Sequence, residues 1–334
     1  MNLFIIRNWF SIISAERIIN EKNKKNNIAL VANSNIEYFK KMEKYMNKDL
    51  WKNIEFFNPK LGKFAFLNQE KLLKKYNYFK KILKKYNTSV IYLSNLDSLE
   101  EKMLYKISKE MKIKINIYEE GTNLYVTFIY NNNIIDKIKS KIRNYLYQEY
   151  SFLTYQKNNF KANTLYSFFP EKYKFTNVIN KEKINFDIKQ SNDLKKFLKF
   201  KSLFLSRPLS EDRIINRKLE IKILEEFLSN FNRDIYFKFH PRESKEKIEF
   251  ILKNYKIKIL NNKLQEFPAE YLIYNSGIEN LIGYESGTLA YISEFKKDIN
   301  VYSLLKKIVE NSKSSYLKTF YDFYRKEFKK IIFI

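Results

Sequence analysis

The segment that decides the fold runs Ser89-Val90-Ile91-Tyr92-Leu93, then a Lys/Glu-rich stretch from Glu100 to Met111, then Lys114-Ile115-Asn116-Ile117-Tyr118 ending on Glu119-Glu120-Gly121. Two short β-branched and aromatic runs around a longer stretch of helical composition predict strand, helix, strand. Toward the N-terminus the same alternation continues. Leu72 to Tyr86 places Leu72, Leu73, Tyr76, Phe79 and Leu83 on one helical face, Ile28 to Ala32 reads as a strand followed by a helix near Glu37 to Met46, and Asn2 to Ile6 is a strand leading into a helix over Trp9 to Asn20. Strand and helix in regular alternation predict a parallel sheet with helices on both faces.

Beyond this block the pattern lapses and then resumes. Residues 131 to 193 are rich in Asn, Lys and Tyr with weak periodicity, which predicts an irregular crossover. A second series follows, with strands at Ser202–Leu205, Asp234–Phe239 and Lys256–Leu260. Its helices are expected at Asn216–Phe231 and Ser244–Lys253, with a helical turn over Pro268–Leu272 and a loop entering a helix across Gly283–Ser293. The chain is therefore expected to be α/β, with one Rossmann-like domain over 1–193 and a second over 194–334. Two such halves in tandem have the layout of a GT-B glycosyltransferase, whose parallel sheets face a central cleft.

Composition narrows the chemistry. The 334 residues carry 63 Lys+Arg against 37 Asp+Glu, a formal net charge of +26. With 45% hydrophobic residues the chain can bury a sizeable core, which excludes a disordered tail. No cysteine and a single histidine exclude disulfides, a Cys nucleophile and a poly-His zinc site. Arg7 and Glu16 interrupt the apolar start, and no run reaches the length of a membrane span, so a cytoplasmic protein is expected. The basic excess suits a polyanionic partner such as a phosphorylated substrate, anionic lipid or nucleic acid. It equally suits a chain enriched throughout in Lys, Asn, Ile, Phe and Tyr.

Ligands of open parallel sheets sit beyond the carboxyl ends of the strands. Three polar clusters fall there, Glu119-Glu120-Gly121, Ser206 to Asp212 and Lys238 to Glu243, and a fourth, Tyr284 to Thr288, opens a helix. His240 is the one side chain with an ordinary pKa near neutrality, and Lys238 and Arg242 flank it, a grouping suited to a phosphate that gains charge as a bond to it breaks. Ser286-Gly287-Thr288 opens a helix, which reads either as a phosphate seat or as a plain N-cap. Glu119 and Glu120 project to opposite faces of their strand, so one of them is expected to look outward as a candidate base, with Asp212 as its rival. Glu270, opening a helical turn after Pro268, suits ribose hydroxyls or a helix dipole.

Together these motifs resemble the bacterial sialyltransferases, in particular glycosyltransferase family 52, which includes lipooligosaccharide sialyltransferases. Glu119-Glu120-Gly121 resembles their acidic-acidic-Gly motif, His240-Pro241 their His-Pro motif, and Ser286-Gly287-Thr288 their Ser/Thr motif. Asn2 to Ile6, Ala15 to Ile19 and Pro208 to Asp212 are also similar, so the resemblance runs in order along nearly the whole chain. It implies an inverting, metal-independent transfer of sialic acid from CMP-sialic acid to a terminal galactose of a lipooligosaccharide, with no cofactor. His240 would serve the departing phosphate, aided by Ser286, Gly287 and Thr288. Lys238 would lie near the cytidine and Glu270 at its ribose, in a CMP-sugar-binding second domain. The base is Asp212 by the Pro-Leu-Ser-Glu-Asp segment or Glu120 by the acidic-acidic-Gly motif, with Asp212 preferred. Gly287 departs from the pattern, because adjacent hydroxyl residues are expected there.

The C-terminus interleaves Tyr316, Leu317, Phe320, Tyr321, Tyr324 and Phe328 with Lys and Arg. A helix of this kind can lie peripherally on the anionic inner face of the cytoplasmic membrane or pack on the first domain. A homodimer through the Tyr-rich middle segment is also expected. The competing functions are a GT-B transferase for another nucleotide sugar and a nucleic-acid-binding protein, and none of the usual nucleic-acid motifs is present.

Overall fold

The computed structural model describes residues 1–32, 36–59, 69–94, 98–130, 160–174, 177–188, 200–231 and 234–334. The chain divides into two compact units, Met1–Phe186 and Asp187–Ile334.

The first unit is built on a seven-stranded parallel sheet: β1 (Asn2–Ile6), β2 (Asn27–Ala32), β3 (Asn53–Phe57), β4 (Val90–Leu93), β5 (Lys114–Tyr118), β6 (Ala162–Ser167) and β7 (Val178–Lys183). Their spatial order is β3-β2-β1-β4-β5-β6-β7, all pairs parallel. Sequence order reverses between β1 and β4, which makes the carboxyl ends of these two strands the topological switch point. The second unit repeats the plan with β8 (Ser202–Leu205), β9 (Tyr236–Lys238), β10 (Lys258–Ile259), β11 (Asn280–Gly283), β12 (Asn300–Ser303) and β13 (Ile331–Phe333), ordered β10-β9-β8-β11-β12-β13. Here the order reverses between β8 and β11.

Each unit seats an aromatic of its first strand against the partner directly across the ladder. Phe4 stacks on Tyr92 of β4 at 4.0 Å, and Phe204 stacks on Phe237 of β9 at 4.6 Å. Phe4 also meets Trp51 edge-on, and Phe204 meets Tyr284 in the same way. Such pairs add to the burial term and fix strand register. Gly283 closes β11 where an added Cβ would lie 3.1 Å from the Leu205 carbonyl oxygen, a tight contact that glycine relieves where β8 and β11 approach at the switch point.

Three sequence expectations need correction. The stretch 131–193 is not irregular where it is described, because β6 and β7 within it complete the first sheet. β7 reads Val-Ile-Asn-Lys-Glu-Lys and is an edge strand facing solvent, so its polar composition hides the strand. Residues 131–159, 175–176 and 189–193 of that stretch, including the Tyr-rich segment assigned to a dimer contact, lie outside the described residues. The second is an omission: Asn280–Gly283, just ahead of the loop expected to enter a helix, forms β11, and the helix Gly287–Phe295 follows as expected.

The third correction concerns the C-terminus. Its helix, Ser315–Glu327, is amphipathic, and Leu317, Phe320, Phe323 and Tyr324 are buried within the second unit. Phe328 is buried too, Tyr321 packs edge-on against Phe333, and β13 adds the last strand to the second sheet. Those buried rings are core and are not available to a membrane. No helix among the described residues is long and apolar enough to cross a membrane.

Candidate active site

The site residues come from loops at the carboxyl ends of the strands. In the first unit, β1 runs into Arg7 and Asn8. Asn8 caps the helix Trp9–Glu21 through a reciprocal capping box with Ser11, Oδ1 accepting from the Ser11 N–H at 2.8 Å and Ser11 Oγ accepting from the Asn8 N–H at 3.0 Å. Arg7, 17% exposed, donates from Nε to Glu101 Oε1 at 2.8 Å and from Nη2 to Ser98 Oγ at 2.5 Å, with Glu100 Oε2 at 3.4 Å. Glu101 is fully buried and accepts from the Ser94 N–H, just past β4, at 2.7 Å. Lys75 also reaches Glu100, at 3.2 Å.

Glu120 joins this group. Its Oε2 accepts from Ser94 Oγ at 3.0 Å, and its carbonyl oxygen accepts from Asn8 Nδ2 at 3.3 Å. The neighbouring Glu119 is fully buried, taking hydrogen bonds from the Tyr125 hydroxyl at 2.5 Å and the Phe168 N–H at 2.8 Å. Alternation along the strand therefore separates a structural carboxylate from the half-buried one at the switch point. Gly121, with φ of +146°, turns the chain away after the pair, a conformation that L side chains rarely adopt.

In the second unit, Lys238 ends β9 and His240 follows it. The ring Nδ1 of His240 accepts from the Arg242 N–H at 3.2 Å, which assigns the proton to Nε2. Burial, together with the nearby Arg242 and Arg207 charges, pushes the imidazole down to about 4, with Asp212 opposing and Lys238 adding to the fall. At neutral pH His240 is thus an uncharged donor through Nε2–H, not an imidazolium. Asp212 is paired with the Arg242 guanidinium. Arg207, just past β8, donates to the Glu285 carbonyl oxygen at 3.0 Å and pairs with the Glu285 carboxylate, so it ties the two strands of the switch point together at their ends.

The remaining residues gather around the helix Gly287–Phe295. Ser286 is its N-cap, its Oγ accepting from the Thr288 N–H at 3.2 Å. No acceptor for the Ser286 hydroxyl proton exists among the described residues. Thr288 differs, for its hydroxyl donates to Glu270 Oε1 at 2.6 Å. Glu270 in turn faces Lys238, which burial lowers to about 8 against the favourable Glu270 charge, leaving the amine protonated at neutral pH. Lys238 Nζ also donates to the Gln265 carbonyl oxygen, pinning the Asn262–Glu266 helix to β9. The structure thus brings Lys238, Glu270 and Thr288 together, and separately His240, Arg242 and Asp212. Glu120 stands in the first unit. Among the described residues, no group of three or more His, Asp or Glu side chains is placed to hold a metal ion.

A family model described as alpha-2,8-polysialyltransferase matches residues 2–305. The chain belongs to that family. The match supports the sialyltransferase part of the resemblance drawn from the motifs without singling out the lipooligosaccharide type. No curated protein matches this polysialyltransferase-family chain. Among solved structures, the UDP-GlcNAc 2-epimerase of Methanocaldococcus jannaschii in complex with UDP-GlcNAc and UDP is similar, with TM-score 0.55 and 16% identity over 100% of this chain and 89% of that one. The glycosyltransferase of kitacinnamycin gives TM-score 0.56 at 5% identity, covering 100% and 85%. TcCGT1 in complex with UDP gives 0.54 at 8%, covering 100% and 85%. At these identities the likeness shows the fold, which is of GT-B type.

Sequence reasoning singled out neither Arg7 nor Arg207 as a site residue, although Arg207 lies inside the Ser206 to Asp212 cluster. Arg7 directly follows β1 and Arg207 stands two residues past the end of β8, the first strand of its unit in each case and the position where a parallel sheet presents its switch point, and that placement is the signal that could have found them.

Proposed function

We propose that the protein is an inverting, metal-independent sialyltransferase that uses CMP-sialic acid. Family membership supports the sialyl transfer. The observation that carries the donor is the neutral His240, whose Nε2–H is free to donate and whose surroundings supply Arg207, Arg242 and Lys238. In the reaction the acceptor hydroxyl gives its proton to a carboxylate and its oxygen bonds to the anomeric carbon. The bond from that carbon to the CMP phosphate breaks on the opposite face, and its electron pair stays on the phosphate oxygen. His240 Nε2–H, the Ser286 hydroxyl and the N–H groups opening the helix Gly287–Phe295 stabilise the charge that develops there. Lys238 and Glu270 serve the nucleoside. Thr288 acts through Glu270, because its proton is already committed to that carboxylate. Asp212 is the base, with Glu120 as the alternative.

Two acceptors follow from two observations. The motif resemblance gives a galactose-terminated lipooligosaccharide, and the family match gives a glycan that already ends in sialic acid. Contact with a membrane carrying either acceptor would be electrostatic, through exposed side chains such as Lys318, Arg325 and Lys326. The test incubates the protein with CMP-sialic acid alone, with lactose, and with sialyl-lactose, and measures CMP release. Release with lactose selects the first acceptor, and release with sialyl-lactose alone selects the second. Turnover only with UDP-sugars replaces the proposal by a GT-B transferase of another nucleotide sugar.

A further inference from the structure

Lys247 is a buried cation that the proposed reaction does not use. It sits on the helix Lys245–Asn254 with its side chain 1% exposed. Its ammonium pairs with Glu220 of the helix Arg217–Asn230, lies 2.9 Å from Glu243 Oε1 and 3.4 Å from Glu211 Oε2, and donates to the Arg207 carbonyl oxygen at 3.1 Å. Glu220 and Glu243 are as deeply buried as the lysine. Each carboxylate also carries a backbone or hydroxyl bond. Glu211 Oε1 accepts from the Ser244 N–H at 3.0 Å, and Glu220 Oε2 from the Ser210 N–H at 3.1 Å. Glu243 accepts twice, at Oε1 from Ser206 Oγ and at Oε2 from the His240 N–H, both at 2.6 Å.

Burying charges in this number is costly unless each is paired and hydrogen-bonded, and a hydrophobic cluster would hold two loops together at no such cost. What the ionic cluster adds is direction. Glu243 joins the loop after β8, at Ser206, to the loop after β9, at His240, while Lys247 holds the Arg207 carbonyl oxygen in the same array. We propose that Glu243, charge-balanced by Lys247, is the positioning residue for His240, fixing its backbone so that the ring keeps Nδ1 on the Arg242 N–H and presents Nε2–H outward. Neither residue touches the donor. The inference rests on the role given to His240 above.

The single histidine in the chain makes the test direct, since every imidazole signal belongs to His240. Ring nitrogen chemical shifts of the unliganded full-length protein report the tautomer, and CMP release reports kcat and donor KM. Glu243→Ala leaves Lys247 with Glu220 and Glu211. It should mix the two imidazole tautomers and lower kcat roughly 10- to 100-fold with donor KM near wild type, the signature of a misplaced group. Glu243→Gln can still accept from the His240 N–H and donate to Ser206 Oγ but sets its amide NH2 against the Lys247 ammonium, and should fall between Glu243→Ala and wild type in both rate and tautomer. Ser206→Ala removes one bond without changing charge and should move both readouts in the same direction by a smaller factor. A folded Glu243→Ala protein with wild-type kcat and an unaltered imidazole spectrum overturns the proposal. So does a Ser206→Ala protein that melts earlier with both readouts unmoved. If no variant or wild-type protein releases CMP, the sialyl-transfer reading fails, and the tautomer measurement still decides the positioning claim.

Discussion

The two units place the same elements at their switch points and give them opposite electrostatics. In the first unit Arg7 and Lys75 face three carboxylates, Glu100, Glu101 and Glu120, and Arg7 is held more firmly protonated than usual, burial being outweighed by Glu101 and its neighbours. In the second unit the ring at the centre is kept uncharged by burial and by Arg242 and Arg207, cations that pair with Asp212 and Glu285. A single fold can thus gather carboxylates around an arginine at one switch point and cations around a neutral ring at the other. The difference lies in which residue follows the strand and what meets it from far along the chain.

The largest effect sharpens this comparison at its least settled point, the base. Asp212→Asn should lower kcat by about 10²- to 10⁴-fold, and Glu120→Gln by tenfold or less, in a CMP-release assay with the protein still folded. The reverse ranking would move the base to the first unit. Arg7→Met should come next, on stability. It leaves the fully buried Glu101 without its guanidinium partner, and the urea unfolding free energy of the protein should fall by about 3–5 kcal/mol. Arg7→Lys keeps the charge but not the planar fork, and should fall by less. A value under 1 kcal/mol for Arg7→Met would mean that the first switch point is not organised around this pair.

For the second unit, His240→Ala should cost about 10²- to 10³-fold in kcat, the range for loss of one preorganised donor. Its pH behaviour gives an independent check. The folded imidazole titrates near 4, below the ordinary 6.5 of an unfolded chain. Between these values the unfolded state binds the proton more readily, so this group costs no stability above pH 6.5 and an increasing amount as pH falls toward 4. His240→Gln should remove that part of the acid slope in denaturant titrations. The histidine resonance should titrate near 4 in the free protein and move upward when CMP brings its phosphate. A midpoint at 6.5 without ligand would contradict the buried cationic setting.

The same contrast explains what could be read in advance. β1, β5 and β8 have their read bounds, Asn2–Ile6, Lys114–Tyr118 and Ser202–Leu205, because buried strands of a parallel sheet are near-continuous apolar runs punctuated by polar loops. β7 escaped because an edge strand is written in solvent-facing residues, and β11 because Gly283 looks like a breaker when it in fact eases the close approach to Leu205. At the site, the loops could be found because strand ends are local features. The partners of Arg7 could not, since Glu100 and Glu101 lie more than 90 residues away and only the β1–β4 neighbourship brings them in. The lowered pKa of His240, which makes it a neutral hydrogen-bond donor, was hidden for the same reason. It depends on burial and on Arg207, contributed by a different strand.

The smallest effect separates a cap from a ligand. Ser286 Oγ accepts the Thr288 N–H as any N-cap serine does, and removal of that bond alone should cost about 1 kcal/mol of stability. If the hydroxyl proton also reaches the donor phosphate, Ser286→Ala should lose rate beyond what the weaker helix explains. Ser286→Asp and Ser286→Gly then separate the two contributions. Aspartate restores the cap but sets a negative charge where phosphate must sit, so stability should recover while transfer falls further. Glycine retains most of the cap energy with no side chain, so stability should stay within a few tenths of a kcal/mol of wild type and transfer should match the alanine variant. Should transfer track stability across all three, Ser286 is a cap alone, and the phosphate is held by His240 and the backbone N–H groups without it.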